Sequence, residues 1–217
     1  MQYLIVDFEF TFYKKKIGRP QGFFPEIIEV GAVKISDNDL NSSAKLQAFV
    51  KPHFYPKQAI EAMDFCMISP ADMKKALPFS TMLNKLASMY DSENTYFVTW
   101  GGNDFQVLDE CCRKHQMNNP ITKSSVIDIS EAHRLWVHNA NTLSLKAAAE
   151  SLNISMDGIW HTAYDDADNT SKILCALLKA GWTPELFFKS VEEKIQARRL
   201  KQYAKLKQKY GFIANVS

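Results

Sequence analysis

The sequence predicts an α/β protein in which helices flank a mixed sheet of five strands. Three apolar segments with strand-like alternation fall within the first 50 residues, with polar links such as residues 37–39, and they favour an antiparallel meander. Beyond residue 69, segments with helical periodicity alternate with two more apolar strands. The 217 residues, 46% of them hydrophobic and 23% charged, suffice for a domain with a substantial core.

The order of the elements follows from local signals. Strands are predicted at residues 3–11, 26–35, 45–50, 95–100 and 125–129. A helix is predicted to begin at Pro70, because Ser69 is a good N-cap and proline fits the first helical position. Further helices are predicted at residues 79–90, 104–115, 130–137, 144–152 and 163–180, and from residue 184 onward.

Composition argues against two broad classes of protein. No apolar run has membrane-spanning length and no signal-peptide pattern is present, so a cytoplasmic enzyme without a membrane partner is expected. The four cysteines include the adjacent pair Cys111 and Cys112 and form no C-x-x-C motif, which argues against a disulfide framework. They are therefore expected to be reduced and mostly in the core.

Two carboxylates interrupt the first apolar strand. Asp7 and Glu9 are two residues apart, so they project from the same face of that strand. Neighbouring buried acids repel each other and resist desolvation, and a hard divalent cation such as Mg²⁺ removes both costs. These two residues alone leave two interpretations open, a metal site or a solvent-exposed strand face.

Two later acids are predicted to point inward. Asp104 follows the fourth strand and shares the apolar side of the next helix, although an acid at a helix N-terminus is also favourable in itself. Asp166 continues the buried face of the helix that begins at residue 163, whereas Asp165 and Asp168 are expected to face solvent. His161 precedes this helix by less than a turn, so it can reach the same end of the sheet.

An ordered set of five residues carries a resemblance: Asp7, Glu9, Asp104, His161 and Asp166. Over residues 3–180 this set resembles the DEDDh (DnaQ-like) superfamily of 3′–5′ exonucleases. Residues 7–11, 23–29 and 99–101 look more specifically like the KapD-type bacterial exonucleases, which are described as inhibitors of a sporulation-kinase pathway. The resemblance implies an RNase H-like fold with a central five-stranded mixed sheet, in agreement with the strand count.

The resemblance also implies a mechanism that releases nucleoside 5′-monophosphates from the 3′ end of single-stranded nucleic acid. The four carboxylates would hold two Mg²⁺ or Mn²⁺ ions, which lie about 3.5–4 Å apart in two-metal enzymes. Asp7 would bridge the two ions, and His161 would take a proton from the attacking water. An ordinary histidine is protonated below about pH 6.5, so activity is expected to fall in acid.

A sister class of this superfamily uses tyrosine in place of the histidine. The spacing of Tyr164 and Asp168 satisfies its Tyr-x-x-x-Asp pattern. We favour the histidine form because Asp168 falls on the polar side of the helix, whereas His161 and Asp166 fit the histidine pattern throughout.

The predicted substrate contacts are mainly aromatic, because a ring stacks on any base regardless of sequence. The full set is Phe10, Thr11, Met63, Phe65, Trp100, Asn103 and Phe105. Core packing is the open alternative for the aromatic members. The resemblance adds Thr11 as a backbone contact to the terminal 3′-hydroxyl, and Met63 and Phe65 as part of a loop over the terminal nucleotide.

A basic helical extension, residues 184–217, is predicted to follow an exonuclease domain of residues 1–183. Seven Lys and Arg residues and no acid follow Glu193, which fits either phosphate tracking or a solvated helix. An alternative function is a regulatory module that keeps the exonuclease fold and binds a protein partner. The sequence does not distinguish RNA from DNA, because that choice depends on contacts to the 2′-hydroxyl.

Overall fold

The computed structural model describes residues 1–13, 19–159 and 161–210. These residues form one five-stranded sheet. Its strands are β1 Gln2–Phe10, β2 Ile27–Ser36, β3 Ser42–Phe49, β4 Thr95–Thr99 and β5 Val126–Asp128. They lie in the order β3-β2-β1-β4-β5. The pairs β1–β2 and β2–β3 are antiparallel, whereas β1–β4 and β4–β5 are parallel. The predicted meander and the predicted mixed sheet are confirmed.

The described part of the chain also contains eight α-helices. They are α1 Ala59–Phe65, α2 Pro70–Lys74, α3 Phe79–Met89, α4 Asn103–Lys114, α5 Ile129–Trp136, α6 Leu145–Ser151, α7 Ala163–Lys179 and α8 Pro184–Tyr210. Ser69 caps α2 as predicted, and Asp72 completes a capping box with it. Helix α1 was not predicted, since it is short and no side chain caps its first turn.

The two faces of β1 have different partners. Leu4, Val6 and Phe8 join the main core cluster, in which α3 contributes Met82 and α4 contributes Leu108. Alternation along the strand therefore turns Asp7 and Glu9 to the opposite face. Helix α7 packs against β1 and β2 on that face.

Gly31 allows α7 to approach the sheet closely. A Cβ atom at this position would lie 2.1 Å from the carbonyl carbon of Ala163, the first residue of α7. Gly31 pairs with Asp7 across the β1–β2 ladder, so cross-strand neighbours share one face. The missing side chain therefore brings the start of α7 directly beside Asp7.

The chain forms two compact units, Met1–Ala180 and Gly181–Ser217. The first contains the whole sheet and helices α1–α7, and the second contains α8. Among the described residues, no helix combines the length and apolar character needed to cross a membrane.

Candidate active site

The first half of the candidate site lies on β1. Asp7 and Glu9 stand opposite Gly31 and Glu29 of β2. Between the two acids, the backbone N–H of Phe8 donates a hydrogen bond of 3.1 Å to Oδ1 of Asp104. This bond ties the first turn of α4 to β1 between Asp7 and Glu9.

Burial strongly affects the pKa values of Asp104 and Asp7, and the charge of Asp104 also acts on Asp7. Asp104 is 6% exposed, and burial raises its pKa to about 7 despite the opposing hydrogen bond from Phe8. Burial also raises the pKa of Asp7 well above its ordinary value, and the charges of Asp104 and Glu9 raise it further. Without a cation, these carboxyl groups therefore favour their neutral forms.

Glu9 has a specific partner on the neighbouring segment. The thiol of Cys66 donates a hydrogen bond of 3.0 Å to Oε2 of Glu9. Burial raises the pKa of Glu9 to about 7, this hydrogen bond opposes the rise, and the charges of Asp166 and Glu29 add to it. Cys66 is 3% exposed and directly follows α1, so this helix fixes one edge of the site.

The start of α7 supplies the second half of the site. Ligating atoms of Glu9, His161 and Asp166 all lie within 4.8 Å of one another. Burial raises the pKa of Asp166 to about 6, and the adjacent His161 opposes the rise. His161 has a φ of 64°, a left-handed conformation that costs energy for a non-glycine residue and occurs preferentially at functional sites.

The donor set fits a divalent metal ion. Asp7, Glu9, Asp104 and Asp166 offer carboxylate oxygens, the ligands that Mg²⁺ and Mn²⁺ prefer. Oδ1 of Asp166 is buried and has no hydrogen-bond partner among the described residues, which is costly unless another group binds it. A cation would satisfy this oxygen and would reverse the pKa rise of its neighbours.

Glu29 is a fifth carboxylate beside the cluster, and sequence reasoning missed it. It is 1% exposed and accepts a hydrogen bond of 3.3 Å from the backbone N–H of Ala163. Burial raises its pKa to about 7. An acid within the otherwise apolar stretch of β2 was the available signal, and its partner at the start of α7 is distant in sequence.

Two predicted substrate contacts lie on helix α1, and one of them reaches His161. Phe65 is 50% exposed, and its ring centroid is 4.6 Å from that of His161. Met63 is half-buried and packs against the small cluster around α1. Phe65 therefore has both the position and the exposure that stacking on a base requires.

Most of the other predicted contacts are held by the protein itself. Phe10 and Phe105 are half-buried against the main core, as the packing alternative described. Thr11 is fully buried, and its N–H donates to the carbonyl of Glu26 at 2.8 Å, so this amide is not available to a substrate. Trp100 is half-buried with its ring 6.4 Å from that of His133. Asn103 is exposed at the first position of α4.

The acids of the first turns of α7 differ in their surroundings. Asp165 was expected to face solvent, and this expectation is wrong. It is half-buried and accepts hydrogen bonds of 2.8 Å from the N–H of Ile159 and from the hydroxyl of Thr162, which fix the turn before α7. Asp168 pairs with Lys172 at 3.4 Å on the outer side of the helix.

The ring of Tyr164 lies beside a cation of the sheet. Nζ of Lys45, on β3, lies 5.4 Å from the centroid of the Tyr164 ring. In the described structure, the side chain that is grouped with Glu9 and Asp166 is that of His161. The geometry therefore favours the histidine form of the site.

A five-stranded mixed sheet with a carboxylate cluster at its centre defines a nuclease fold of the RNase H-like class. The exonuclease family of RNase T matches this chain over residues 4–174. The chain therefore belongs to that family, and it is a 3′–5′ exonuclease of the DEDDh type.

Known proteins of similar sequence are exonucleases. The probable 3′–5′ exonuclease KapD of Bacillus subtilis is 32% identical over 170 residues, which cover 78% of this chain and 81% of that protein. ERI1 exoribonuclease 2 of Xenopus laevis is 26% identical over 201 residues, covering 82% of this chain and 28% of that protein. The chain thus spans most of the first relative and about a quarter of the second.

Solved structures share the fold. The nuclease domain of 3′hExo, a DEDDh family member bound to rAMP, has a TM-score of 0.72 at 23% identity, covering 83% of this chain and 92% of that one. Pop2p of Schizosaccharomyces pombe, in its Mg²⁺- and Mn²⁺-bound form, has a TM-score of 0.58 at 18% identity, covering 81% of this chain and 82% of that one.

Proposed function

We propose that this exonuclease is metal-dependent and releases nucleoside 5′-monophosphates from the 3′ end of a single strand. In this proposal Asp7, Glu9, Asp104 and Asp166 hold the metal and His161 is the general base. The grouping of Glu9, His161 and Asp166 within 4.8 Å carries the proposal, because it combines oxygen ligands with a titratable nitrogen.

The electrostatics of the cluster support metal dependence. The pKa of each of Asp7, Glu9, Asp104 and Asp166 is raised, so the ionised ligand set is unfavourable without a counter-charge. Two Mg²⁺ or Mn²⁺ ions, once bound, would supply positive charge for the developing phosphorane and lower the pKa of a water molecule. Divalent ions also occur in the structurally similar Pop2p, in its Mg²⁺- and Mn²⁺-bound form.

The chain's own residues perform the remaining tasks. The imidazole of His161 accepts the proton of the attacking water, and its exposure lets it pass that proton to solvent. The left-handed backbone at His161 and the hydrogen bonds of Asp165 hold the ring beside Asp166. Such a fixed position avoids the entropic cost of orienting the base for each reaction.

The mouth of the site supports a single-stranded substrate. The exposed ring of Phe65 stands next to His161, where it can stack on the base of the terminal nucleotide. Structural neighbours include an exonuclease described as recognising the 3′ end of a histone mRNA stem-loop, and exonuclease I with a dT13 oligonucleotide.

An end-labelling assay tests this proposal. Matched RNA and DNA oligonucleotides carry a 5′ label and either a free or a phosphate-blocked 3′ end. We expect a ladder of shortened products with Mg²⁺ or Mn²⁺, loss of cleavage in EDTA, and little cleavage of blocked strands. Cleavage of a circular strand, undiminished cleavage in EDTA, or no cleavage with either metal would contradict it, and the last result would favour a regulatory binding module.

A further inference from the structure

Charge is divided very unevenly along this chain. Residues 1–193 contain 19 Lys and Arg against 24 Asp and Glu, a formal charge of −5. Residues 194–217 contain seven Lys and Arg and no acid, a formal charge of +7. A nucleic acid strand is a polyanion, so it is repelled at long range by the segment that carries the catalytic acids and attracted by the segment that follows.

Four of these cations form a row on helix α8: Lys194, Arg198, Lys201 and Lys205. Their spacings of four, three and four residues place them on one side of the helix. At 1.5 Å per residue the row is about 17 Å long. We call these four residues the basic row.

Three of the four cations of the basic row are exposed to a ligand. Arg198, Lys201 and Lys205 are exposed, and among the described residues none of them forms an ion pair with an acid. Acids are also missing from the rest of the chain beyond Glu193, so no neighbour one turn ahead can neutralise the row. Two further cations, Arg199 and Lys207, lie on the opposite side of the helix.

We propose that the basic row binds the phosphates of the nucleic acid strand that the enzyme degrades. This inference rests on the proposed function, because it assigns a second contact to the same substrate. A single strand that passes the row would release one condensed counterion for each neutralised phosphate. Four contacts would add about 2.8 to the slope of log Kd against log salt, at roughly 0.7 per phosphate.

The salt dependence of binding tests the row directly. Full-length protein carrying Asp7→Asn, which is expected to prevent cleavage, is titrated into a 5′-fluorescein-labelled RNA or DNA strand of about 20 nucleotides, between roughly 50 and 200 mM salt. We expect R198Q/K201Q to lower the slope of log Kd against log salt by about 1.4, because it removes two phosphate contacts. The matched pair R199Q/K207Q removes the same charge from the other side and should leave the slope nearly unchanged.

Several outcomes would overturn the proposal. If the slope of log Kd against log salt were the same in the parent protein and in both double variants, the row would make no phosphate contacts. If both double variants lowered the slope equally, binding would not depend on which side of the helix carries the charge. If R198Q/K201Q kept the nucleic acid slope and lost binding to phosphatidylserine vesicles instead, the row would be a membrane contact, since basic helices also bind anionic lipid.

A small substrate separates this proposal from the proposed function. The p-nitrophenyl ester of thymidine 5′-monophosphate reaches only the catalytic cluster, so R198Q/K201Q in the otherwise wild-type chain should hydrolyse it at the wild-type rate. The same variant should have a raised KM and an unchanged kcat on the long strand. A wild-type protein that cleaves nothing would refute the proposed function, whereas an unchanged KM on the long strand would refute the row.

Discussion

The carboxylate cluster and the basic row of α8 differ in how far their charged groups are exposed to solvent. In the cluster, buried and half-buried acids are fixed by partners such as the N–H of Phe8 and the thiol of Cys66. In the row, Arg198 and its neighbours are exposed to water. Neighbouring buried acids repel each other strongly, so their ionised forms need a cation bound close to them. Exposed charges act at long range and are screened by salt. Substitutions in the cluster should therefore have much larger effects than substitutions in the row.

Loss of the general base should have a large effect on catalysis. We expect His161→Ala to lower kcat about 10²- to 10⁴-fold, the usual contribution of general acid–base catalysis. Tyr164→Phe should retain near wild-type activity, because the ring of Tyr164 lies beside Lys45. Single-turnover cleavage of a labelled strand measures both, and the opposite pattern would assign the chain to the tyrosine class.

Close packing of α7 against the sheet gives the second prediction. Gly31→Ala places a Cβ atom 2.1 Å from the backbone of Ala163, so α7 must shift, at a cost of about 1–3 kcal/mol or more. Gly102→Ala is the matched control, because its Cβ atom would meet nothing closer than 3.9 Å. Chemical denaturation compares the two, and equal stabilities would show that the start of α7 is not held against the sheet.

The raised carboxyl pKa values predict an unusual dependence of stability on pH. Glu9, Glu29 and Asp104 each have a pKa of about 7, and in the unfolded chain such groups titrate near pH 4. Between these values the folded protein holds protons that the unfolded chain releases, so stability falls as pH rises from about 4 to about 7.

Metal should cancel this loss. Because ionised ligands bind the cation, adding Mn²⁺ at pH 8 should raise stability by about 2.7 kcal/mol at a hundredfold excess over Kd. Thermal unfolding in EDTA and in Mn²⁺ across this pH range is the measurement. A metal-free protein that becomes more stable from pH 5 to pH 8 would contradict the burial of the cluster.

Cys66 should give the smallest effect within the cluster. Cys66→Ala removes the hydrogen bond to Glu9 and should weaken metal activation several-fold, since neutral hydrogen bonds contribute about 1 kcal/mol. Cys66→Ser keeps a donor of similar size and should restore most of the loss. The Mn²⁺ concentration for half-maximal rate separates positioning of Glu9 from a general loss of stability, which would affect both variants alike.

Local patterns predicted much of this molecule because alternation and helical spacing act over a few residues. On that basis Asp7 and Glu9 were predicted to share one face of their strand and Asp166 to point inward, and the structure brings Glu9 and Asp166 together with His161. Glu29 was missed because its role depends on cross-strand pairing and on a hydrogen bond to Ala163, 134 residues away. Long-range contacts of this kind do not alter the local residue pattern on which a sequence prediction depends.

The wrong expectation for Asp165 has the same origin. Asp165 was predicted to face solvent because helical periodicity says nothing about the turn that precedes the helix. In the structure, Asp165 accepts a hydrogen bond from the N–H of Ile159 in that turn. Phe105 stays a candidate contact, because a ring has the same appearance in sequence whether it stacks on a base or makes an edge contact in the core, as this ring does with Phe97. The substrate contacts therefore remain predictions, with Phe65 the best placed among them.

The central claim is that the cluster of acids binds the catalytic metal, and one pair of isosteric variants tests it most directly. Asp7→Asn keeps the shape and removes a charge from the cluster, whereas Asp168→Asn removes the same charge from the outer side of α7. Metal-dependent 3′-end cleavage and thermal stability are measured for both. We predict that D7N loses activity by at least about 10³-fold, in the range typical of essential electrostatic groups, while its stability is unchanged or increased and D168N remains active. A D7N protein with near wild-type, EDTA-sensitive cleavage would contradict the account.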